Sequence, residues 1–306
     1  MKNVNKLEQD QIIKIGIIGT GMLGNAVGAH LLESGFELTA YNRTKEKTNE
    51  LKSKGAKIVD SPKAVAENSE LVITIVKDAN AVKEVSFGKN GIVEGWHKGL
   101  TVADMSTINP LESKKISKKF LDYKITKIDT PVMGGPNVAI TGELVLMASG
   151  DKKAFDKFRD VFEIIANKTF FLGVDGTAHL VKLSMNLQIT MLALALSEGI
   201  TLARGANVEP KVFLDVLNST YFKTGMSEKK AYKMIEDEFN PTFTLNNLKK
   251  DISIIIDTAK SLGIDLPMIK KAEEVYTDAV NQGFGNIDYT GILAYIKKIN
   301  SQEDHK

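Results

Sequence analysis

Residues 13–35 read IKIGIIGTGMLGNAVGAHLLESG. An apolar, β-branched run ends in Gly19-Thr20-Gly21-Met22-Leu23-Gly24, and an amphipathic stretch follows it. In a strand–turn–helix of this kind the first glycine permits the tight turn and the second lets backbone approach a pyrophosphate. The third lets the helix pack closely on the strand, and the helix N-terminus faces the anion. Gly19, Gly21 and Gly24, with Met22 and Leu23, are therefore candidate dinucleotide-binding residues. A lone glycine pattern is a weak signal; its position after an apolar strand and before an amphipathic helix makes it a specific one.

The second strand-like run, ELTAY, ends at Asn42-Arg43-Thr44, where an NAD-binding fold carries an acid on the ribose 2′-hydroxyl. Asn42 removes the carboxylate that would repel a 2′-phosphate, Arg43 offers a planar cation and Thr44 a hydroxyl, which favours NADP(H). The chain has only three arginines (Arg43, Arg159 and Arg204), so one at this turn stands out from its many lysines. The plain alternative for Arg43 is a solvated loop cation.

Further along, IKIGII, ELTAY, KIVD, LVITIV, LTVADM, KITKID, ELVLMAS and TFFLG alternate with amphipathic stretches up to about Leu172, the pattern of βαβ units around a largely parallel sheet. After Gly176 strand-like runs vanish and helical periodicity continues to about Asn300. The expected organisation is α/β: a loose N-terminal extension over 1–12, a Rossmann-type doubly wound nucleotide-binding domain over 13–175, an all-helical domain over 176–300 and a tail over 301–306. One continuous helix from near Thr177 to about Arg204, ~40 Å at ~1.5 Å per residue, is expected to join the two halves.

Composition narrows the chemistry. The 306 residues, 43% hydrophobic and 25% charged, are those of a globular protein of about two domains. A net charge of +2 with scattered basic residues leaves no cationic face for nucleic acid. The absence of cysteine excludes thiolate chemistry and disulfides, and four scattered histidines lack zinc-ligand spacing, so no metal is expected. The polar start is unlike a signal peptide, and Leu187–Ala203 is interrupted by Gln188, Thr190, Ser197 and Glu198, short of a clean membrane span. A cytoplasmic protein with no membrane partner is expected.

Two constellations carry candidate chemistry. Within the apolar stretch AHLVKLSMNLQITMLALALSEGITLA, expected to be largely buried, Lys182 and Asn186 stand one turn apart on one face. A lysine held in apolar surroundings has its pKa pushed downward and becomes useful for proton transfer near neutrality. The second is Asp129-Thr130-Pro131-Val132-Met133-Gly134-Gly135-Pro136, where a strand ending in Pro and Gly-Gly exposes N–H groups that could cradle a carboxylate. Taken alone, that segment is only a turn signal, and it points to a site only in combination with the others.

Together these segments resemble the β-hydroxyacid dehydrogenase family, which includes 3-hydroxyisobutyrate dehydrogenase, tartronate semialdehyde reductase and the glyoxylate/succinic semialdehyde reductases. The resemblance runs from Ile13 to about Ile299. It includes GIIGTGMLG, Asp104-Met105-Ser106-Thr107 with Pro110, DTPVMGGPNVAITGELVLMASG, and Gly173 and Gly176 before Lys182 and Asn186. FTLNNLKKD (Phe243–Asp251) and GFGNID (Gly283–Asp288) complete it. The resemblance implies Lys182 as general acid/base, Asn186 helping to hold substrate, and Met133, Gly134 and Gly135 taking the substrate carboxylate. It implies Thr107 beside the nicotinamide, Lys250 over the cofactor, and Phe243 and Asp251 shaping the cleft. A nearby ammonium would stabilise charge developing on a carbonyl oxygen during reduction and supply the proton. Met133 stands where many relatives carry serine, and Ala178 replaces the second glycine before the lysine.

The activity so implied is NADPH-dependent, reversible reduction of a small aldehyde acid: succinic semialdehyde, glyoxylate, malonate semialdehyde or methylmalonate semialdehyde. An imine reductase is the first rival, although a neutral imine needs no carboxylate site. A non-catalytic NADP-binding protein is the second, with retention of Lys182 against it. A 6-phosphogluconate dehydrogenase would need a larger helical half and more basic groups. The apolar joining helix makes a homodimer or homotetramer plausible.

Overall fold

The computed structural model describes residues 13–301; the expected extension over 1–12 and the tail beyond Ser301 lie outside the described residues. The chain divides into two compact units, one up to Lys182 and one from Leu183 onward.

The first unit is built on nine strands: β1 (Lys14–Ile18), β2 (Glu37–Tyr41), β3 (Lys57–Ile58), β4 (Leu71–Thr74), β5 (Thr101–Asp104), β6 (Thr126–Asp129), β7 (Val132–Met133), β8 (Leu144–Gly150) and β9 (Ala166–Phe171). They lie in the order β3-β2-β1-β4-β5-β6-β8-β7, with β9 beside β8. The first six are parallel in the doubly wound order 3-2-1-4-5-6, which places the topological switch point between β1 and β4. β8 runs antiparallel to β6 and β7, and β9 parallel to β8. Eight of these strands match the β-branched runs. The two-residue β7, which pairs Val132 with Leu146 and Met133 with Val145, is an addition, too short to carry a periodic signal.

Helices of nine residues or more are numbered here: α1 (Met22–Glu33), α2 (Ala79–Phe87), α3 (Pro110–Asp122), α4 (Thr177–Gly205), α5 (Pro210–Asn218), α6 (Leu245–Ser261), α7 (Pro267–Asn281) and α8 (Ile292–Ser301). The central strands are buried on both faces, as a covered parallel sheet demands. Ile15 and Ile17 pack with Val27, Leu31, Phe158 and Phe162 in one core, and Ile18, Val72 and Val102 with Ile116 and Phe120 in another. In the second unit Leu183, Leu248, Ile252, Tyr276, Ile292 and Tyr295 belong to one core and Ile200, Leu214, Met234 and Leu293 to a smaller one.

α4 corrects two expectations. By length and composition it is apolar enough to cross a membrane, despite its polar residues. It is also less buried than its apolar circumference implies. Leu183, Asn186, Thr190, Ala193, Ser197 and Ile200 are buried, a 3-4-3-4-3 spacing that marks one stripe of a packed helix. Leu180, Met185 and Leu202 are exposed, Leu202 to 77%. The polar members of the stripe bond along the helix, Thr190 Oγ1 donating to the Asn186 carbonyl (2.9 Å) and Ser197 Oγ to that of Ala193 (2.7 Å).

Candidate active site

The phosphate turn is assembled as the glycine spacing predicts. Gly19 has φ +99°, and its N–H donates to the Tyr41 carbonyl at 2.9 Å. A Cβ on Gly19 would stand 2.2 Å from the Ile75 carbonyl oxygen, and one on Gly24 would stand 2.0 Å from that of Gly19. Both glycines are thus required by packing within the turn; Gly24 closes α1 onto the turn itself rather than onto the face of a strand. Gly21 is different. Its φ of −69° is available to any residue, and a Cβ there meets no atom within 4 Å. Neither conformation nor internal packing demands glycine at Gly21, so the space over it fits an external group approaching the backbone. That approach lies at the N-terminus of α1, whose N-cap, Gly21, has no side chain to accept from the first N–H groups. A dinucleotide pyrophosphate suits this cradle.

The β2 end is tied to the same turn. Asn42 Oδ1 accepts from Thr20 N–H (3.0 Å), and Asn42 Nδ2 donates to the Thr44 carbonyl (2.8 Å). Asn42 therefore ties the glycine turn to the β2 end through Oδ1 and braces its own loop through Nδ2, a structural task its sequence position does not announce. Arg43 projects from this support, 85% exposed, with Nη1 3.9 Å from Glu84 Oε2, and Thr44 is exposed beside it. At the ends of β4 and β5, buried Asp104 accepts from Thr74 Oγ1 (2.9 Å) and Ser106 N–H (3.1 Å). Ser106 Oγ in turn accepts from Val76 N–H at 3.0 Å. These bonds fix the segment that carries half-buried Thr107 at the C-terminal edge of the sheet.

Lys182 and the strand-end segment, far apart in sequence, meet. Lys182 Nζ donates to Met133 Sδ at 3.2 Å, a weak acceptor where the resemblance led to expect serine. Lys182 is half-buried rather than enclosed. Gly134 has φ +121°, and a Cβ would meet Val138 Cγ2 at 2.6 Å and Leu144 Cδ2 at 2.8 Å, so its glycine is already required by the local turn. Gly135 leads into a four-residue helix, Pro136–Ala139.

β6 carries a buried polar group that the strand pattern announces. Lys127 and Asp129 are two apart in β6, hence on one face, inside a sheet interior. Both side chains are fully buried and form an ion pair. Asp129 Oδ1 also accepts from Ser113 Oγ (2.5 Å), and Oδ2 from Ser149 Oγ (2.9 Å) and Gly176 N–H (2.6 Å). His179 Nε2 stands 3.2 Å from Oδ1. Burial would raise the Asp129 carboxyl, but Lys127 and His179 beside it hold it well below the usual range. Asp175 behaves oppositely: burial, then the charge of Asp129, pushes its carboxyl up.

In the second unit Asn186 Nδ2 donates to Asp251 Oδ2 at 2.6 Å, and Lys250 Nζ lies 2.6 Å from Asp251 Oδ1. Asn186 and Asp251 are each 1% exposed, and Asn186 Oδ1 has no hydrogen-bond partner among the described residues. Asp288 of the GFGNID motif accepts from Thr242 N–H (3.0 Å), Thr242 Oγ1 (2.9 Å) and Phe243 N–H (3.4 Å), and pairs with Lys230 at 3.0 Å. Burial opposes its charge, yet Lys230 and the Thr242 N–H hold its carboxyl below the usual range. Asp288 thus fixes the segment that carries Phe243 into α6, a role absent from the sequence reading.

Comparison with known proteins agrees with this geometry. A family model described as the NAD binding domain of 6-phosphogluconate dehydrogenase matches residues 14–173. A second, described as NAD-binding of NADP-dependent 3-hydroxyisobutyrate dehydrogenase, matches 176–296. Glyoxylate/succinic semialdehyde reductase 1 of Arabidopsis thaliana is 28% identical over 93% of this chain and 99% of its own. The 2-hydroxy-3-oxopropionate reductase of Escherichia coli is 28% identical over 96% of this chain and 99% of its own. A crystal structure of 3-hydroxyisobutyrate dehydrogenase from Salmonella typhimurium superimposes with a TM-score of 0.84 at 25% identity, covering 92% of this chain and 99% of that one. The glycine turn, the doubly wound sheet, the helical second unit and these matches agree: the chain belongs to the family of 3-hydroxyisobutyrate dehydrogenases and glyoxylate/succinic semialdehyde reductases, NAD(P)-dependent oxidoreductases of hydroxy acids.

Proposed function

We propose that the protein is an NADPH-dependent reductase of a small aldehyde acid, acting reversibly, with Lys182 as general acid/base. The observation that carries this reading is the approach of Lys182 Nζ to Met133 Sδ at 3.2 Å, which brings a titratable amine to the residue just before the Gly134–Gly135 turn. Gly19, Gly21, Met22, Leu23 and Gly24 would hold the pyrophosphate, Arg43 and Thr44 the 2′-phosphate, and Thr107 the nicotinamide end. When bound, the reduced nicotinamide supplies the hydride. Lys182 donates its proton to the carbonyl oxygen as negative charge develops there, and its ammonium stabilises that charge beforehand. In the oxidative direction the neutral amine takes the hydroxyl proton.

Met133, Gly134 and Gly135 face the carboxylate end of the substrate in this reading. Met133 brings apolar bulk in place of a hydroxyl, which favours an aldehyde acid with a methyl or methylene beside its carbonyl. Asn186, whose buried Oδ1 keeps acceptor capacity, and Asp251 retain the substrate-holding roles that the resemblance implies, with Phe243 and Lys250 on the cofactor. Exposed Leu202, Val212, Val216 and Phe222 support a homodimer or homotetramer. The test is an NADPH-oxidation panel over glyoxylate, malonate semialdehyde, methylmalonate semialdehyde and succinic semialdehyde, with NADH in parallel. Turnover of at least one with NADPH is expected. Turnover of cyclic imines alone, or binding of NADPH with no turnover of either class, would overturn the proposal.

A further inference from the structure

The start of α4 is held by side chains from the sheet rather than from its own chain neighbourhood. Gly176 N–H donates to Asp129 Oδ2 at 2.6 Å, Ala178 N–H donates to Ser149 Oγ at 3.1 Å, and Ser149 Oγ itself donates to Asp129 Oδ2 at 2.9 Å. Two of the orphan donors at a helix N-terminus are therefore satisfied by β6 and β8. His179, one residue further and fully buried, brings Nε2 to 3.2 Å from the other oxygen of the same carboxylate. Gly176, Ser149 and His179 thus meet one buried anion directly and Ala178 reaches it through Ser149, and buried Lys127 pairs with the same carboxylate. Lys182 follows Ala178 by one helical turn, about 6 Å of rise. β8 is also the strand that pairs with β7, through Val145 and Met133, so the strand that anchors the helix also places the residue Lys182 touches.

We propose that Asp129, acting through Ser149 and the first turn of α4, is a positioning residue that sets where Lys182 Nζ stands over Met133. The proposal rests on the reading of Lys182 as proton donor only for its effect on turnover; the placement of the amine is testable without it. Asp129 does not touch the reacting atoms. It fixes the axial position and rotation of the helix on which the amine is carried, and a shift of about 1 Å there costs as much as 100-fold in rate.

The test uses Ser149→Ala, which removes the hydroxyl shared by Asp129 and Ala178 but leaves the Lys127–Asp129 pair intact. Ser149→Thr is its conservative counterpart, and Asp129→Asn the direct variant. The full-length protein is acetylated with limiting acetic anhydride across about pH 6–11, and Lys182 labelling is measured by peptide mass spectrometry against exposed Lys153. In Ser149→Ala the Lys182 labelling rate is expected to change at least about threefold, or its midpoint by about half a pH unit, with return toward wild type in Ser149→Thr. On an aldehyde acid that the wild type reduces, kcat falls about tenfold while the Kd for NADPH stays within about twofold. An unchanged Lys182 profile in Ser149→Ala would overturn the proposal, whether or not Asp129→Asn folds. Lys182→Ala, made alongside, separates the two readings: wild-type turnover there removes the proton-donor role while the labelling result on Ser149→Ala still decides the positioning role.

Discussion

Replacing Arg43 with Ala separates a surface cation from a cofactor-selecting one. The guanidinium is 85% exposed, and its nearest acid, Glu84, is 66% exposed with Oε2 3.9 Å away. An exposed pair at that distance contributes under about 1 kcal/mol and is screened by salt, so Arg43→Ala should leave the melting temperature almost unchanged. A 2′-phosphate beside the same guanidinium would accept charge-assisted hydrogen bonds worth about 1.5–3 kcal/mol. Their loss weakens NADPH by about 10- to 150-fold. NADH, which carries a hydroxyl at that position, should lose no more than about twofold, because Asn42 and the glycine turn are held by bonds that do not involve Arg43. Fluorescence titration of both nucleotides against both proteins measures the two ratios, and repetition at raised ionic strength should shrink only the NADPH effect. Equal losses for the two nucleotides, or none for either, would refute the assignment of Arg43 to the 2′-phosphate.

Gly21→Ala and Gly24→Ala should separate likewise. Gly21→Ala meets open space and should keep the wild-type melting temperature while losing at least about tenfold in NADPH affinity, whereas Gly24→Ala, with its Cβ 2.0 Å from a carbonyl oxygen, should lose both binding and about 1–3 kcal/mol or more of stability. Unimpaired NADPH binding by Gly21→Ala would remove the pyrophosphate from that space. Asp175 has a raised folded pKa, so its ionisation costs native stability as pH rises from about 4. Asp175→Asn should raise the melting temperature at neutral pH and give no gain in acid; a loss at neutral pH would contradict the sign. Asn186→Ala deprives buried Asp251 of its 2.6 Å donor and should destabilise by about 1–3 kcal/mol in urea melts, with part of the loss recovered by adding Asp251→Asn.

The glycine turn and the β-branched runs were legible because a parallel sheet buried on both faces imposes long apolar strands, and a pyrophosphate site imposes glycine at fixed spacing. The strands it forms include one the pattern did not carry, Val132–Met133, because two residues after Pro131 have no period to read. Lys182 and Met133 were each visible as members of motifs, but their contact depends on how β7 pairs with β8, which no local signal encodes. Asn42 is legible by what it lacks, a carboxylate, while the bond it accepts from Thr20 N–H arises only when β1 and β2 lie side by side. Lys127 and Asp129 are the missed signal: opposite charges at i and i+2 of one strand point to one face, and inside a sheet they are buried only as a pair. α4 was read as apolar on most sides, yet the burial follows a single stripe that includes Asn186, Thr190 and Ser197.

The most direct measurement is the rate of hydride transfer in Lys182→Ala under single-turnover conditions, with saturating NADPH and the best aldehyde acid of the panel. Removal of a general acid that also stabilises the developing oxyanion should slow the chemical step by about 10²–10⁴-fold. NADPH affinity should stay within about twofold, since the phosphate turn is built from other residues. A Lys182→Ala protein that reduces the aldehyde acid at the wild-type rate would contradict the assignment of proton donation to that amine.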